Sequence, residues 1–508
     1  MAPVAGQNSW MRRAAPWLLV LGGAGALALR HWGDGPGPMA ADYAQYLGHA
    51  RALAEGRPYT DTGYIFTQRF ARAGPAAQPP GLPLVLWAVF RTVGESALAV
   101  KLVLLACALG FYVLAGLYFA RHDDRRLGLA VVLLLGLSTE AAHWATVVQS
   151  DLLFSAMVWL VVLLYDRDGP FTMPRVVAIT VLGAFTLICR TFGVALIPAA
   201  ALFTLLQWRR HGFRPAIPAA IWVAAFLATN AALPIISGFV TNVPAMLMWG
   251  ARTVVDRALS YRFALFEAHL YPFPWDHANQ LYHILAAVVM LGGLAGWFFQ
   301  GFRRFSVSFC AAYVALLMVV PVLDTRYMWP VYPVLAFGLV RGLALLAGRV
   351  RPPSPAGLRP GFALAVSAII GALNVTWAER PATREPSFAT RPDVQALFRE
   401  LMRLAAQEPM RVAFVRPQIL ALETRIPSMT TFAAAPQVVM DELDRKCITH
   451  VVLGDLGLAP QADSAFREAV RLQPGGFRQE YQNQSFTTYR YTTLQCRRDL
   501  RRRGRPPR

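Results

Sequence analysis

The chain has 508 residues, of which 56% are apolar and only 15% are charged, whereas roughly a quarter of the residues in soluble domains are charged. This composition excludes a soluble globular protein and a disordered chain, and the absence of a glycine period excludes collagen. Five cysteines are too few for a disulfide scaffold. The net charge is +20, but no nucleic-acid recognition motif accompanies it. The composition therefore indicates a membrane protein.

The apolar residues are grouped in long runs. A membrane-spanning helix needs about 20 mostly apolar residues, and we count about eleven such runs. Their centres are Leu21, Leu109, Leu134, Trp159, Leu182, Ala200, Ala225, Val289, Leu316, Leu335 and Ile369. We predict a polytopic α-helical membrane protein with about 11 transmembrane helices in residues 1–380.

Nearly all the positive charge is arginine, in small clusters between alternate apolar runs. Such clusters mark cytoplasmic loops, and here they are Arg12/Arg13, Arg121/Arg125/Arg126, Arg167/Arg175, Arg209/Arg210/Arg214, Arg303/Arg304 and Arg349/Arg351/Arg359. We therefore predict a bacterial inner membrane protein with a cytoplasmic N-terminus. Most carboxylates of the membrane part fall on the opposite side, where the two long loops 31–96 and 237–280 are expected to hold any acid or base chemistry.

Residues 381–496 are predicted to form a small extracytoplasmic α/β domain. Helical spacing covers 393–406 and 436–444, and strand-like runs cover 411–415, 448–453 and 486–494. The basic tail 497–508 is predicted to be disordered. Cys447 and Cys496 are expected to form a disulfide in an oxidising compartment, the alternative being two unpaired thiols. The other three cysteines lie in apolar runs, where thiols behave as small hydrophobes.

Two aspartates are candidate catalytic residues. Asp42 begins an amphipathic helix in the first long loop and would either cap that helix or act as a general base. Asp151 begins the otherwise apolar fourth span, where Ser150 and Asp151 would either serve the helix start or form part of a site. Ionisable residues at such positions are candidates for function.

Arg190, Arg326 and the adjacent Tyr327 lie next to apolar runs on the side predicted to be outside. Each arginine would either extend its charged end to the membrane interface or bind a phosphate through paired hydrogen bonds.

Taken in order, these segments resemble the GT-C membrane glycosyltransferases, specifically the family-39-like branch of protein O-mannosyltransferases and the bacterial aminoarabinose transferase. The similarity covers roughly residues 10–345. The motifs that carry it are the first-loop acid (Asp42), Pro-Pro (Pro79, Pro80), the second acid (Asp151), Arg-x-x-Gly followed by Pro (Arg190, Gly193, Pro198) and Arg-Tyr-x-x-Pro (Arg326, Tyr327, Pro330).

The resemblance implies an inverting transfer of one sugar from a polyprenyl-phosphate donor to an acceptor at the outer membrane face. In this comparison Asp42 matches the general base and Asp151 matches the acid that assists it. Arg190, Arg326 and Tyr327 would bind the lipid phosphate. Eukaryotic protein O-mannosyltransferases have Asp-Glu in the first loop, whereas Tyr43 follows Asp42 here. A glycolipid or cell-wall glycan is therefore favoured over a protein acceptor.

Two other functions are kept as alternatives. An oligosaccharide ligase or polymerase would use a diphosphate-linked lipid, and a lipid or solute transporter would show internal repeats and midplane charges. No cofactor is required by these mechanisms. For a divalent metal, the weak candidates are His269 and His277, but no metal-ligand spacing such as HExxH is present, and the alternative is an interfacial belt of aromatic and histidine side chains.

Overall fold

The structure, a computed structural model, describes residues 8–32, 42–67, 75–233, 276–319, 324–350, 358–377, 388–454 and 460–492. In chain order the helices are Asn8–Arg30 (α1), Asp42–Ala54 (α2), Gly81–Val93 (α3), Ala97–His122 (α4), Arg125–Gly136 (α5), Thr139–Trp144 (α6), Asp151–Tyr165 (α7), Met173–Cys189 (α8), Leu196–His211 (α9), Ile217–Ala232 (α10), Asp276–Gly301 (α11), Phe305–Val319 (α12), Tyr332–Val350 (α13), Leu358–Trp377 (α14), Pro392–Ala405 (α15), Pro417–Thr424 (α16), Pro436–Arg445 (α17) and Pro460–Leu472 (α18). The strands are Tyr64–Ile65 (β1), Val412–Phe414 (β2), Ser428–Thr430 (β3), His450–Gly454 (β4), Phe477–Gln482 (β5) and Phe486–Tyr491 (β6).

The chain divides into two compact units. The helical unit contains the described residues up to Trp32, then 97–232 and the described residues from 276 to 377. The mixed unit consists mainly of the described residues 42–67, 75–96, 388–454 and 460–492. Residues 31–96 were predicted as an outer loop of the transmembrane part; the described residues 42–67 and 75–96 of this loop fall in the same compact unit as the C-terminal segment.

Each of the eleven predicted span centres lies within a helix of the helical unit. By length and apolar content alone, three stretches of the described chain are long enough to cross a membrane, namely Ala97–His122, Thr191–His211 and Arg214–Ala232. Eight further apolar stretches of 10–17 residues lie in other helices, several of which, such as α11 (Asp276–Gly301), are longer than the stretch itself. The apolar runs therefore predict where the helices lie. How many of the helices cross the membrane depends in addition on the length of each helix.

Glycines allow α11 and α13 to approach each other closely. A Cβ atom on Gly293 would collide with the carbonyl oxygen of Gly338, and one on Gly342 would collide with the carbonyl oxygen of Val289. Gly338 and Gly342 are four residues apart on α13, the spacing that brings helix backbones together in membranes. The close contact between α11 and α13 is therefore possible only because glycine has no side chain at these positions.

The far end of α7 is fixed by two polar side chains. The Asp166 carboxylate accepts hydrogen bonds from the backbone N–H of Phe305 at 2.6 Å and from the Tyr118 hydroxyl at 2.9 Å. The Arg175 guanidinium donates to the carbonyl oxygens of Leu164, at 2.7 Å, and Tyr165, at 2.9 Å. Because a helix leaves its last carbonyls without partners, these bonds hold the end of α7 in place.

The mixed unit contains a six-stranded sheet in the order β1-β3-β2-β4-β6-β5. The first four strands in this order are parallel, and β6 and β5 continue the sheet antiparallel. The edge strand β1 comes from the first long loop, where Tyr64 is paired with Ser428. Thr67 donates to the buried Glu442 carboxylate at 2.7 Å. The loop and the C-terminal segment thus share backbone pairing and side-chain contacts.

Cys447 is disulfide-bonded, while Cys107, Cys189 and Cys310 are free thiols. Its predicted partner Cys496 lies outside the described residues, as does the basic tail 497–508, so this pairing stays a prediction.

Candidate functional site

Asp151 lies at the N-terminus of α7 and is buried, with only 2% of its surface exposed. Its carboxylate Oδ2 is 2.5 Å from Nη1 of Arg190, whose side chain is 11% exposed. Ser150 stands at the N-cap position but makes no capping hydrogen bond through its side chain. Its hydroxyl instead accepts a hydrogen bond from Arg190 Nη1 at 3.4 Å. The helix start is therefore built around an ion pair rather than around a serine cap.

Arg190 is held by the turn of its own motif. It is extended, with φ −160° and ψ 139°, and it separates α8 from the short 3₁₀ helix Thr191–Ala195. The backbone N–H of Gly193 donates to the Arg190 carbonyl at 2.9 Å. A Cβ on Gly193 would lie only 3.0 Å from the Leu187 Cα. The glycine of Arg-x-x-Gly thus permits the tight turn that places Arg190 against α7.

The Arg-Tyr-x-x-Pro segment packs against the same ion pair. Tyr327 has its ring 4.8 Å from the Arg190 guanidinium carbon and 5.5 Å from that of Arg326, distances typical of cation–π contacts. The carbonyl of Pro330 accepts a hydrogen bond from the Trp159 indole of α7 at 3.0 Å. This motif is therefore fixed to the helix that Asp151 begins.

Arg326 has its own carboxylate partner, which the sequence reasoning did not identify. Arg326 Nε is 2.7 Å from Asp324 Oδ2. Asp324 also caps the 3₁₀ helix Thr325–Met328 by accepting from the Arg326 backbone N–H at 3.1 Å. With Asp151 and Arg190, the four groups carry no net formal charge. An anion that enters this cluster would meet two guanidinium groups whose present partners are aspartates.

The helical unit thus brings together four of the predicted site residues: Asp151, Arg190, Arg326 and Tyr327. The fifth, Asp42, belongs to the mixed unit.

Asp42 is the first residue of α2 and is partly exposed. The Gln78 side-chain amide lies 3.4 Å from Asp42 Oδ1 and donates to Gln45 Oε1 at 2.7 Å. Gln45 in turn donates to the carbonyl of Pro75 at 3.0 Å. The partly exposed Asp42 carboxylate is therefore attached to a buried network of side-chain amides.

His49 fixes the backbone that carries Gln78. Its Nε2 accepts from the Gln78 N–H at 3.1 Å and its Nδ1 donates to the Tyr59 carbonyl at 2.7 Å, so the hydrogen bonds assign the neutral Nδ1–H tautomer. Burial lowers the pKa of His49 to about 4, which keeps the ring neutral near pH 7. The Tyr59 ring stacks on His49 at 4.2 Å, and its hydroxyl donates to the Gln78 carbonyl at 2.6 Å. The Pro79-Pro80 motif follows this anchored residue.

The predicted metal candidates are only partly described. His269 lies outside the described residues, and for His277 only the backbone position near the start of α11 is described. Among the residues that the structure describes, no three His, Cys, Asp or Glu side chains are grouped as a metal site.

No protein-family model and no curated protein sequence matches this chain. Solved structures do match along nearly its whole length. ArnT from Cupriavidus metallidurans bound to undecaprenyl phosphate has a TM-score of 0.55 at 12% identity, covering 96% of this chain and 99% of that one. The apo state of the same protein has a TM-score of 0.58 at 11% identity, with 94% and 98% covered.

A second membrane enzyme has a similar structure. The Archaeoglobus fulgidus oligosaccharyltransferase in complex with Zn and sulfate has a TM-score of 0.53 at 10% identity, covering 92% of this chain and 72% of that one. At such low identity the likeness establishes the fold and leaves the activity to be argued from the residues. The chain therefore shares the fold of ArnT and of the oligosaccharyltransferase, as its resemblance to the GT-C glycosyltransferases predicted.

Proposed function

We propose that the chain is a membrane glycosyltransferase that moves one sugar, with inversion, from a polyprenyl-phosphate donor to an acceptor hydroxyl. The observation that carries this proposal is the buried Asp151–Arg190 ion pair. Tyr327 lies against Arg190 and Arg326 in the same cluster. Two guanidinium groups fixed in an apolar helical unit suit one phosphate, because each presents several N–H donors to an oxygen acceptor.

The lipid carrier explains why such an enzyme needs many apolar helices. Each buried methylene of a prenyl chain contributes about 0.8 kcal/mol to its residence in the bilayer, so the donor stays in the membrane. The related ArnT fold was solved with undecaprenyl phosphate bound. We propose the same class of donor lipid for this chain, and we propose that Arg190, Arg326 and Tyr327 bind its phosphate.

In the proposed reaction Asp42 is the general base. Its carboxylate takes the proton from the acceptor hydroxyl, and the hydroxyl oxygen attacks the anomeric carbon from the face opposite the phosphate. The bond between the anomeric carbon and the phosphate oxygen breaks, and its electron pair leaves with the polyprenyl phosphate. The arginines stabilise the charge that develops there, and Asp151 keeps Arg190 in position. The proposed acceptor is a glycolipid, a cell-wall glycan or, less favoured, a protein, at the extracytoplasmic face of a bacterial inner membrane.

Asp42→Asn tests the base. We expect loss of transfer with normal expression and folding, because an amide of the same shape cannot accept the proton. Asp61→Asn is the matched control, since Asp61 belongs to the same loop but is an exposed partner of Arg57. The assay follows sugar transfer from defined polyprenyl-phosphate donors in detergent or vesicles. Full activity of Asp42→Asn would remove the proposed mechanism.

A second candidate is an oligosaccharide ligase or polymerase using a diphosphate-linked lipid, which the structural match to the oligosaccharyltransferase favours. That donor carries two phosphates and more than one sugar. Comparing monophosphate and diphosphate donors with the wild-type protein separates the two functions, since only the ligase transfers a glycan from the diphosphate.

A further inference from the structure

Gln149 is a buried polar side chain in the segment between α6 and α7. Only 4% of its surface is exposed. Both its Nε2 and its Oε1 are fully buried and have no hydrogen-bond partner within the part of the chain that the structure describes. Burying an amide without partners costs free energy that a folded protein normally avoids. The side chain therefore lacks, among the described residues, the hydrogen-bond partners that a buried amide normally has.

The neighbours of Gln149 in this segment are partnered. Thr146 donates to the carbonyl oxygens of His31 at 3.2 Å and His143 at 3.1 Å. Ser150 and Asp151 both contact Arg190, as described above. Gln149 thus differs from Thr146, Ser150 and Asp151, whose side chains have polar partners. It immediately precedes the two residues that contact Arg190.

We infer that the Gln149 carboxamide binds hydroxyl groups of the sugar carried by the lipid-phosphate donor, an inference that rests on the proposed function. A carboxamide has two N–H donors and a carbonyl acceptor, so it matches a hydroxyl group, which both donates and accepts. A phosphate only accepts, and the guanidinium groups of this cluster, which only donate, suit it better. The sugar and the phosphate of one donor are therefore recognised by different chemistry.

The test is Gln149→Met, which keeps the length of the side chain and removes its polar atoms. We expect the thermal midpoint of the unliganded protein to rise, because the variant no longer buries an unsatisfied amide. We expect the KM for the sugar donor to rise about tenfold, the effect of losing one or two hydrogen bonds. Binding of sugar-free polyprenyl phosphate should remain unchanged.

Gln418→Met is the matched control. Gln418 is also 4% exposed and lies on α16 of the mixed unit, but it has an interaction partner. We expect this variant to lose stability and keep the wild-type KM for the donor. Opposite effects of the same substitution at two equally buried glutamines distinguish a ligand-binding amide from a structural one.

The probes are polyprenyl-phosphate mannose, polyprenyl-phosphate aminoarabinose and versions of each lacking one hydroxyl. The wild type should bind one deoxy donor about tenfold more weakly than its parent, and Gln149→Met should abolish that difference. Binding is read as a donor-induced rise of the thermal midpoint, which requires no turnover. An unchanged donor KM, or a loss of stability like that of Gln418→Met, would overturn the inference. A wild type that neither binds nor transfers any of these sugars would instead overturn the proposed function.

Discussion

We expect a single substitution in the Asp151–Arg190 ion pair to lower the free energy of unfolding of the helical unit strongly. The two side chains are 3% and 11% exposed, with 2.5 Å between Oδ2 and Nη1. Arg190→Met leaves the Asp151 carboxylate buried without this partner. Breaking a buried pair from one side costs about 3–5 kcal/mol, and we expect the free energy of unfolding to fall by that amount.

The reverse substitution should cost less. Asp151→Asn keeps the shape and one acceptor oxygen, and Arg190 retains its contacts with Ser150 and the Tyr327 ring, so we expect a loss of about 1–3 kcal/mol. Combining Asp151→Asn with Arg190→Met removes both buried charges. We expect the double variant to unfold within about 1 kcal/mol of the wild type, because replacing both partners of a buried pair is close to neutral.

The assay is a double-mutant cycle. Unfolding free energies are measured by denaturant titration in detergent micelles, and sugar transfer is measured on the same four proteins. The coupling energy should be at least about 2 kcal/mol, whereas additivity within about 0.5 kcal/mol would refute the reasoning. We expect the double variant to recover stability without recovering transfer. Recovery of both would show that the pair serves only the fold.

Three further predictions concern other parts of the chain. Because the folded-state pKa of His49 is about 4, the unfolded chain takes up its proton first as the pH falls. Protonation of His49 should therefore lower the free energy of unfolding by about 1.4 kcal/mol for each pH unit between pH 6.5 and about 4, and should have no effect above about pH 7. In a series of unfolding measurements at different pH, the free energy of unfolding of His49→Gln should depend less steeply on pH than that of the wild type. An equal dependence in the two proteins would contradict the assignment. Gly293→Ala should destabilise the α11–α13 contact, whereas Gly292→Ala should not, since nothing lies within 4 Å of a Cβ at Gly292; equal thermal midpoints for the two variants would contradict the close approach. Thiol titration of the denatured, unreduced protein should find three free cysteines in the wild type and four in Cys447→Ser, and five in the wild type would exclude the predicted bond to Cys496.

The sequence identified residues better than it identified their partners. Asp151, Arg190 and Tyr327 could be identified because charged and aromatic residues next to apolar runs are easily recognised in a sequence. The sequence did not predict that these residues contact one another. Asp151 and Arg190 are 39 positions apart, and an ion pair leaves no periodic pattern in the sequence. The pairing of Asp324 with Arg326, only two residues away, was not predicted either.

Gln149 escaped the sequence reasoning altogether. A glutamine before a helix is ordinary in sequence, and this one is unusual only because it is buried with no hydrogen-bond partner in the part of the chain that the structure describes. The strand β1 escaped for a related reason, since two residues of a loop carry no strand periodicity and are paired only because β3 offers an open edge.

Composition and hydropathy were enough to predict a polytopic helical protein and to place its helix centres, because the bilayer imposes a local requirement of length and apolarity on each segment. The resemblance to the GT-C glycosyltransferases came from the ordered short motifs. Tertiary structure alone decided that the first long loop shares a sheet with the C-terminal segment, that Arg190 neutralises Asp151 and that Gln149 has no hydrogen-bond partner among the described residues. Hydrogen bonds and ion pairs act over a few ångströms of space, and the folded chain decides which distant residues come within that range.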